Sequence, residues 1–263
     1  MGVEYERWLI AKGNFFSPAA VSIAKLVERL RKESWIVAPA SPELAKLRFQ
    51  GKRAERARAT GGYAVTTVEN VFGKDLVAKI EASTEPLPPT LDAEWLDDPD
   101  REDLRLVWPV DGDGAALPSA YPLSRRPEGN VTYALELHRC LEYVYPASEN
   151  IGLVPSICRC GEELAFEWDD EDLVPAFGAS SGIFAECEKC SRTFEPSKGS
   201  ALITNPFDGS RAKVPGGAAY RFALKIDCGE CFVPDAQLAF APALVALVEN
   251  EFGREFYEVG CVS

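Results

Sequence analysis

Val131, Tyr133, Leu135 and Leu137 alternate with polar residues, and so do Tyr220, Phe222, Leu224 and Ile226. A period of two predicts strands with one buried face, so residues 130–145 and the run around 220–226 are expected to be strands. Val3 to Ala11 is apolar and aromatic enough for a third. The period then changes. Ile23, Leu26, Val27 and Leu30 recur at helical spacing behind Ser17-Pro18, a cap residue followed by proline, which predicts an amphipathic helix over 18–33. Trp35 to Ala38, closed by Pro39, reads as the next strand. Leu244, Val248 and Phe252 share one side of a second helix expected from Pro242 to Phe252, with Gly253 as its stop and a last strand from Phe256 to Cys261. Both ends of the chain therefore read strand–helix–strand. The expected fold class is α+β, with those units packing on a mostly antiparallel sheet.

The middle of the chain is less periodic. Ser41-Pro42 repeats the helix-start signal, and Lys46, Arg48, Lys52, Arg53, Arg56 and Arg58 follow, opposed only by Glu43 and Glu55. Such a basic segment binds phosphate or an acidic surface, or is simply a solvated helix face, and Phe49 alone supplies an aromatic ring for base stacking. Gly61-Gly62 ends it, and Tyr63 to Val71 is β-rich. Eight prolines punctuate residues 81–130 and acidic residues crowd Asp92 to Asp103, with Trp95, Leu96, Leu104, Leu106 and Trp108 among them. A disordered linker lacks such tryptophans, so this is read as an irregular, partly docked connection with a short helix around 92–98. The parts are then 1–80, 81–130 and 131–263.

Chemistry concentrates between residues 158 and 190. Cys158-Arg159-Cys160-Gly161 and Cys187-Glu188-Lys189-Cys190 are two close cysteine pairs with 26 residues between them. Each pair offers two sulfurs on one tight turn, and a hairpin between them brings the turns together as a tetrahedral four-thiolate site. Gly161 supplies the positive φ such a turn needs. Leu164, Phe166 and Trp168 alternate on one face of a strand, Ile183 and Ala185 lead into the second pair, and Phe194 follows it. Residues 156–198 resemble a zinc ribbon built on rubredoxin-type knuckles. They depart from it in the single residue between Cys158 and Cys160, and in Ser191, where glycine is common. The resemblance implies an inserted β ribbon holding a structural Zn²⁺ on Cys158, Cys160, Cys187 and Cys190. Free buried thiols or a disulfide are the alternatives.

Charge sharpens the picture. The net charge of −13 is uneven: residues 1–80 carry 14 basic and 8 acidic side chains, and the remainder carries 14 basic and 33 acidic. So acidic a body repels nucleic-acid phosphates and favours basic partners, chiefly through association rate, although solubility alone also explains it. No apolar run reaches the ~18 residues of a membrane span, and the charged N-terminus is unlike a signal peptide. A cytoplasmic protein is expected, in which cysteines favour metal over disulfides.

Catalytic signatures are weak. The single histidine, His138, falls on the polar or inner alternate of its predicted strand and suits a structural role better than a catalytic one. Gly178-Ala179-Ser180-Ser181-Gly182 matches a nucleophile elbow but has no histidine after it, and Ser22-Ile23-Ala24-Lys25 is explained by the helix. Asp111-Gly112-Asp113-Gly114 lacks the later ligands of a calcium loop and reads as a turn. Cys228-Gly229-Glu230-Cys231 reads first as buried or unpaired thiols, and otherwise as a redox pair or, joined by Cys140 or Cys261, as part of a second metal site. The expectation is a non-enzymatic, zinc-stabilised acidic protein that binds a basic protein partner, as an inhibitor or immunity protein for a toxin or nuclease does. A nucleic-acid adaptor using the ribbon and the basic segment, and a thiol-redox protein centred on Cys228 and Cys231, are the competing expectations.

Overall fold

The computed structural model describes residues 3–12, 16–36, 62–66, 84–88, 90–98, 104–110, 119–125, 133–144, 156–163, 166–169, 172–175, 184–194, 199–204, 210–215, 220–231 and 239–262. In chain order these form β1 (Val3–Ala11), α1 (Ala20–Lys32), β2 (Tyr63–Thr66), β3 (Thr84–Pro86), α2 (Ala93–Leu96), β4 (Leu104–Val110) and β5 (Tyr133–Val144). Seven short strands follow: β6 (Ser156–Ile157), β7 (Phe166–Asp169), β8 (Asp172–Pro175), β9 (Phe184–Glu186), β10 (Thr193–Phe194), β11 (Ser200–Thr204) and β12 (Arg211–Pro215). The chain ends with β13 (Tyr220–Cys231), α3 (Pro242–Phe252) and β14 (Phe256–Val262).

Seven of the strands make one sheet in the order β14-β1-β13-β5-β4-β2-β3, and every pairing in it is antiparallel. The protein is α+β, as its periodicities predict. The sheet draws strands from residues 1–80, 81–130 and 131–263 alike. β6 to β12 all fall between β5 and β13, which are direct neighbours, so the cysteine-bearing segment interrupts the sheet's chain path without interrupting the sheet. No described helix is long and apolar enough to cross a membrane.

The helices fill one side. α1 buries Ala20, Ile23, Leu26, Val27 and Leu30, and α3 buries Leu244, Leu247 and Val248. These residues meet Leu9 of β1, Leu106 and Trp108 of β4, Leu135 and Leu137 of β5, and Phe222, Leu224 and Ile226 of β13 in one core. Phe16, Phe222, Phe252 and Phe256 meet there with ring centroids 5.0–6.5 Å apart, mostly edge to face, tying the segment before α1 to the C-terminal helix and strand. Arg29 reaches from α1 to Glu251 of α3 at 3.2 Å.

Several local expectations need correction. α1 starts later than Ser17-Pro18 implies: its cap is Ala19, with no side-chain hydrogen bond. Three basic residues in its last turn, Arg29, Arg31 and Lys32, complement the negative end of the helix dipole. Trp35 and Ile36 are not a strand. Both backbone N–H groups turn back onto the Leu30 carbonyl, through a positive φ at Ser34, and cap the helix with buried apolar side chains. The segment expected to be irregular supplies β4, whose Leu104, Leu106 and Trp108 face the core. Its Pro109 is tolerated because β2 pairs with residues 104–107 only. Within this segment α2 is short, and Asp92 Oδ1 accepts the Trp95 N–H at 2.8 Å. The C-terminal expectations hold: α3 carries proline in its first turn, and Gly253 ends it in the left-handed conformation. The basic segment 46–58, residues 111–114 and residues 178–182 lie outside the described residues.

Candidate metal centre

Each cysteine pair sits on its own tight turn. After β6, the Cys158 N–H donates to the Glu162 carbonyl and the Gly161 N–H donates to the Cys158 carbonyl, both at 2.8 Å. After β9, the Cys187 N–H donates to the Arg192 carbonyl at 2.9 Å and the Ser191 N–H donates to the Cys187 carbonyl at 2.8 Å. The two turns are thus the same device, one residue shorter in the first. Both close through a positive φ, +93° at Gly161 and +49° at Ser191. The missing glycine at 191 therefore changes the cost of the turn and not its shape: a serine in this region is strained by roughly 1–3 kcal/mol.

The turns bring all four sulfurs within 4.8 Å of one another. Sγ of Cys158 lies 3.7 Å from Sγ of Cys190, and Sγ of Cys160 lies 3.6 Å from that of Cys187. A disulfide needs ~2.05 Å, whereas the edge of a tetrahedron with ~2.3 Å metal–sulfur bonds is ~3.8 Å. These are free thiols set at coordination spacing. Cys158 and Cys187 are buried, and Cys160 and Cys190 are more accessible.

The surroundings prepare the sulfurs unequally. Backbone N–H groups of Cys190 and Lys189 point at the Cys187 sulfur and bring its thiol down to about 7, while burial pushes Cys158 up to about 12. Cys187 is the readier thiolate, and Cys158 needs a cation to lose its proton. Lys189 Nζ holds Glu162 Oε2 at 2.8 Å and so staples the second turn to the first. The same ammonium lies near the Cys160 and Cys187 sulfurs, and Glu162 first and these two after it raise its pKa. Four sulfurs at these distances, with backbone donors and a lysine beside them, can hold one metal ion. Four-sulfur tetrahedral sites suit zinc or iron.

Among the described residues the cluster comprises these four cysteines alone. Cys228-Gly229-Glu230-Cys231 forms the end of β13 and runs in the ladder beside β1. A dithiol of the thioredoxin type stands instead at a helix N-terminus. Cys140 lies at the other end of β13, beside Arg221, which donates to its carbonyl. Seven residues of strand separate that position from Cys228, about 23 Å, so Cys140 cannot share an ion with it. Cys261 lies in β14, on the far side of β1 from β13, and its side chain and those of Cys228 and Cys231 lie outside the described residues.

His138 sits on the sheet face away from the helices, between Glu136 and Tyr220. The sequence leaves its alternate open between polar and inner, and its two partners are not readable there. Comparison with protein-family models, with curated proteins and with solved structures finds no match for this chain.

Proposed function

We propose that the four thiolates hold a structural Zn²⁺ and that the protein is a non-enzymatic binding protein braced by that ion. The observation that carries the reading is the closed set of four sulfurs within 4.8 Å. A tetrahedral Zn²⁺ with four cysteine ligands keeps no position for water or substrate, so its contribution is folding energy. In small modules this amounts to roughly 10–16 kcal/mol, enough to order turns that bury few side chains.

The acidic body supports a basic protein as the partner, of the kind an inhibitor or immunity protein covers. Among the described residues around the two turns the exposed or half-exposed charges balance, Arg159, Lys189 and Arg192 against Glu162, Glu163 and Glu188, and Lys189 is already paired. That balance supports protein binding over the phosphate footprint a nucleic-acid adaptor needs.

Metal analysis of the purified full chain tests the first half. One zinc per chain is expected, and cobalt(II) in its place should give the spectrum of a tetrahedral four-thiolate ion without exchangeable water. A metal-free protein whose cysteine turns stay protected from hydrogen exchange, or an ion carrying water, overturns it. For the second half, capture on immobilised chain should recover a basic protein whose association slows with added salt. Salt-insensitive capture, or a steep salt-dependent shift with DNA or RNA, overturns that.

A further inference from the structure

The sheet face away from the helices carries a line of buried and half-buried polar side chains whose protons have only one arrangement. The Trp8 indole N–H, on β1, is directed at the Tyr220 oxygen, on β13. The Tyr220 hydroxyl lies 3.1 Å from His138 Nδ1, on β5, and His138 Nε2 lies 2.7 Å from Glu136 Oε2. Arg105 Nη1, on β4, approaches the same carboxylate oxygen at 3.8 Å. The line crosses four neighbouring strands. An indole only donates and a carboxylate only accepts, so the middle has no freedom: His138 carries its proton on Nε2, and Tyr220 donates to Nδ1.

We propose that this line is an acid-operated latch, in which a proton on His138 reverses its junction with Tyr220 and opens this face of the sheet to water. A doubly protonated imidazole presents Nδ1–H to an oxygen that already receives the Trp8 N–H. The phenolic proton then loses its acceptor at a residue that is 4% exposed. A buried hydroxyl left unpaired is costly, and so is a charge placed at the same depth.

The other groups on this face set the threshold. Glu136 draws the proton, and Arg105 and Lys225 oppose it. Lys225 is itself paired with Glu6 of β1, with Asp227 two residues further along β13. Cys140 stands two residues beyond His138 on β5, near Tyr220. Burial weighs most: it pushes His138 below its ordinary value and Tyr220 well above its own, so both are neutral in the closed face. An opened face returns His138 towards its ordinary value near 6.5. Below that pH, and above the closed-state value, each unit of acid multiplies the open population about tenfold.

The test exploits the chain having one histidine. Full-length protein with ¹⁵N-labelled histidine is followed by long-range ring correlations from pH 7.5 to 5, with backbone hydrogen exchange of β5 and β13 measured in parallel. The expected results are the Nε2–H form at pH 7.5 and exchange, corrected for its intrinsic rate, that rises about tenfold per unit below pH 6.5. His138→Gln keeps one acceptor and one donor, and should stay closed across the range. Tyr220→Phe removes the conflict at Nδ1 and should let His138 protonate at higher pH. An Nδ1–H form at pH 7.5, an ordinary titration with no change in exchange, or the same acceleration in His138→Gln overturns the proposal. Should that variant fail to fold, the ring form and the exchange profile of the unaltered protein decide alone.

Discussion

Replacing Gly62 with alanine should destabilise the protein more than its exposed positive-φ glycines predict. Gly62 precedes β2 with φ +153°, and its carbonyl accepts the Leu87 N–H at 3.1 Å. A Cβ built there lies 2.6 and 2.7 Å from the Trp108 ring and 2.8 Å from Leu87 Cδ1. Neither neighbour can move aside, since Trp108 and Leu87 are 1% and 0% exposed. Overpacking of this kind costs about 1–3 kcal/mol, and the backbone conformation adds about 1–2 kcal/mol. The sum, roughly 2–5 kcal/mol, corresponds to a Tm lower by about 5–15 °C in a chain of this size. Gly253→Ala is the control. It has φ +60° and nothing within 4 Å of the added Cβ, so only the backbone cost of about 1 kcal/mol applies. Thermal melts of both variants by circular dichroism make the comparison. If Gly62→Ala melts within ~2 °C of the parent, or no lower than Gly253→Ala, the contact argument is wrong.

Other consequences can be checked with standard measurements. Cys187→Ser removes the readiest thiolate and should abolish stoichiometric zinc, with loss of protection in residues 156–194 while the seven-stranded sheet keeps its amide protection by hydrogen exchange. Phe222→Ala, at the centre of the four-ring cluster, should cost about 3–5 kcal/mol in denaturant titration, against less than that for Phe222→Leu. Burial alone would raise the Glu136 pKa, but the His138 hydrogen bond and the cations Arg105 and Lys225 outweigh it and hold the carboxyl down to about 2. Its stabilisation is therefore complete above the unfolded value near 4.5 and is lost as pH falls through that window, by at most about 3 kcal/mol. Glu136→Gln should flatten this part of the acid titration. Asp92→Ala should cost only about 1 kcal/mol, the worth of one exposed helix cap.

What the sequence reveals here depends on whether a feature is local. Gly253 terminates α3 by its own backbone preference, and the two cysteine turns carry their ligand spacing within four residues each, so both are legible in one dimension. Trp35 and Ile36 are not: two apolar residues after a helix serve equally as a strand or as a cap folded onto Leu30, and the core decides. β4 was masked by Pro109, whose tolerance follows from how far β2 extends. The Tyr220–His138–Glu136 contact is the hardest to read. Tyr220 alternates with Phe222, Leu224 and Ile226 as if on the helix side, but the pairing of β13 with β5 shifts between Tyr220 and Phe222 and puts its hydroxyl on the opposite side, beside His138. An irregularity that offsets the pairing by three residues, an odd number, inverts which face a side chain meets, and no periodicity within a strand records it.

The same contrast bears on why this chain sets a four-thiol cluster in one place and a polar line in another. Strands β6 to β12 are two to five residues long, with Ile157 and Ala201 among their buried residues. Among the described residues of the two cysteine turns, 158–162 and 187–192, only Cys158 and Cys187 are buried, so a metal ion held by the four sulfurs would supply order that side-chain burial in the turns does not. The seven-stranded sheet has the opposite surplus. Its helix side is closed by leucines and phenylalanines, so its second face has stability to spare for Glu136, His138 and Tyr220, buried polar groups that cost energy unless every proton finds its acceptor. Chelation should therefore act on the cysteine segment with little effect on the sheet, whereas acid acts on the sheet and, by protonating the thiolates, on the cysteine segment as well.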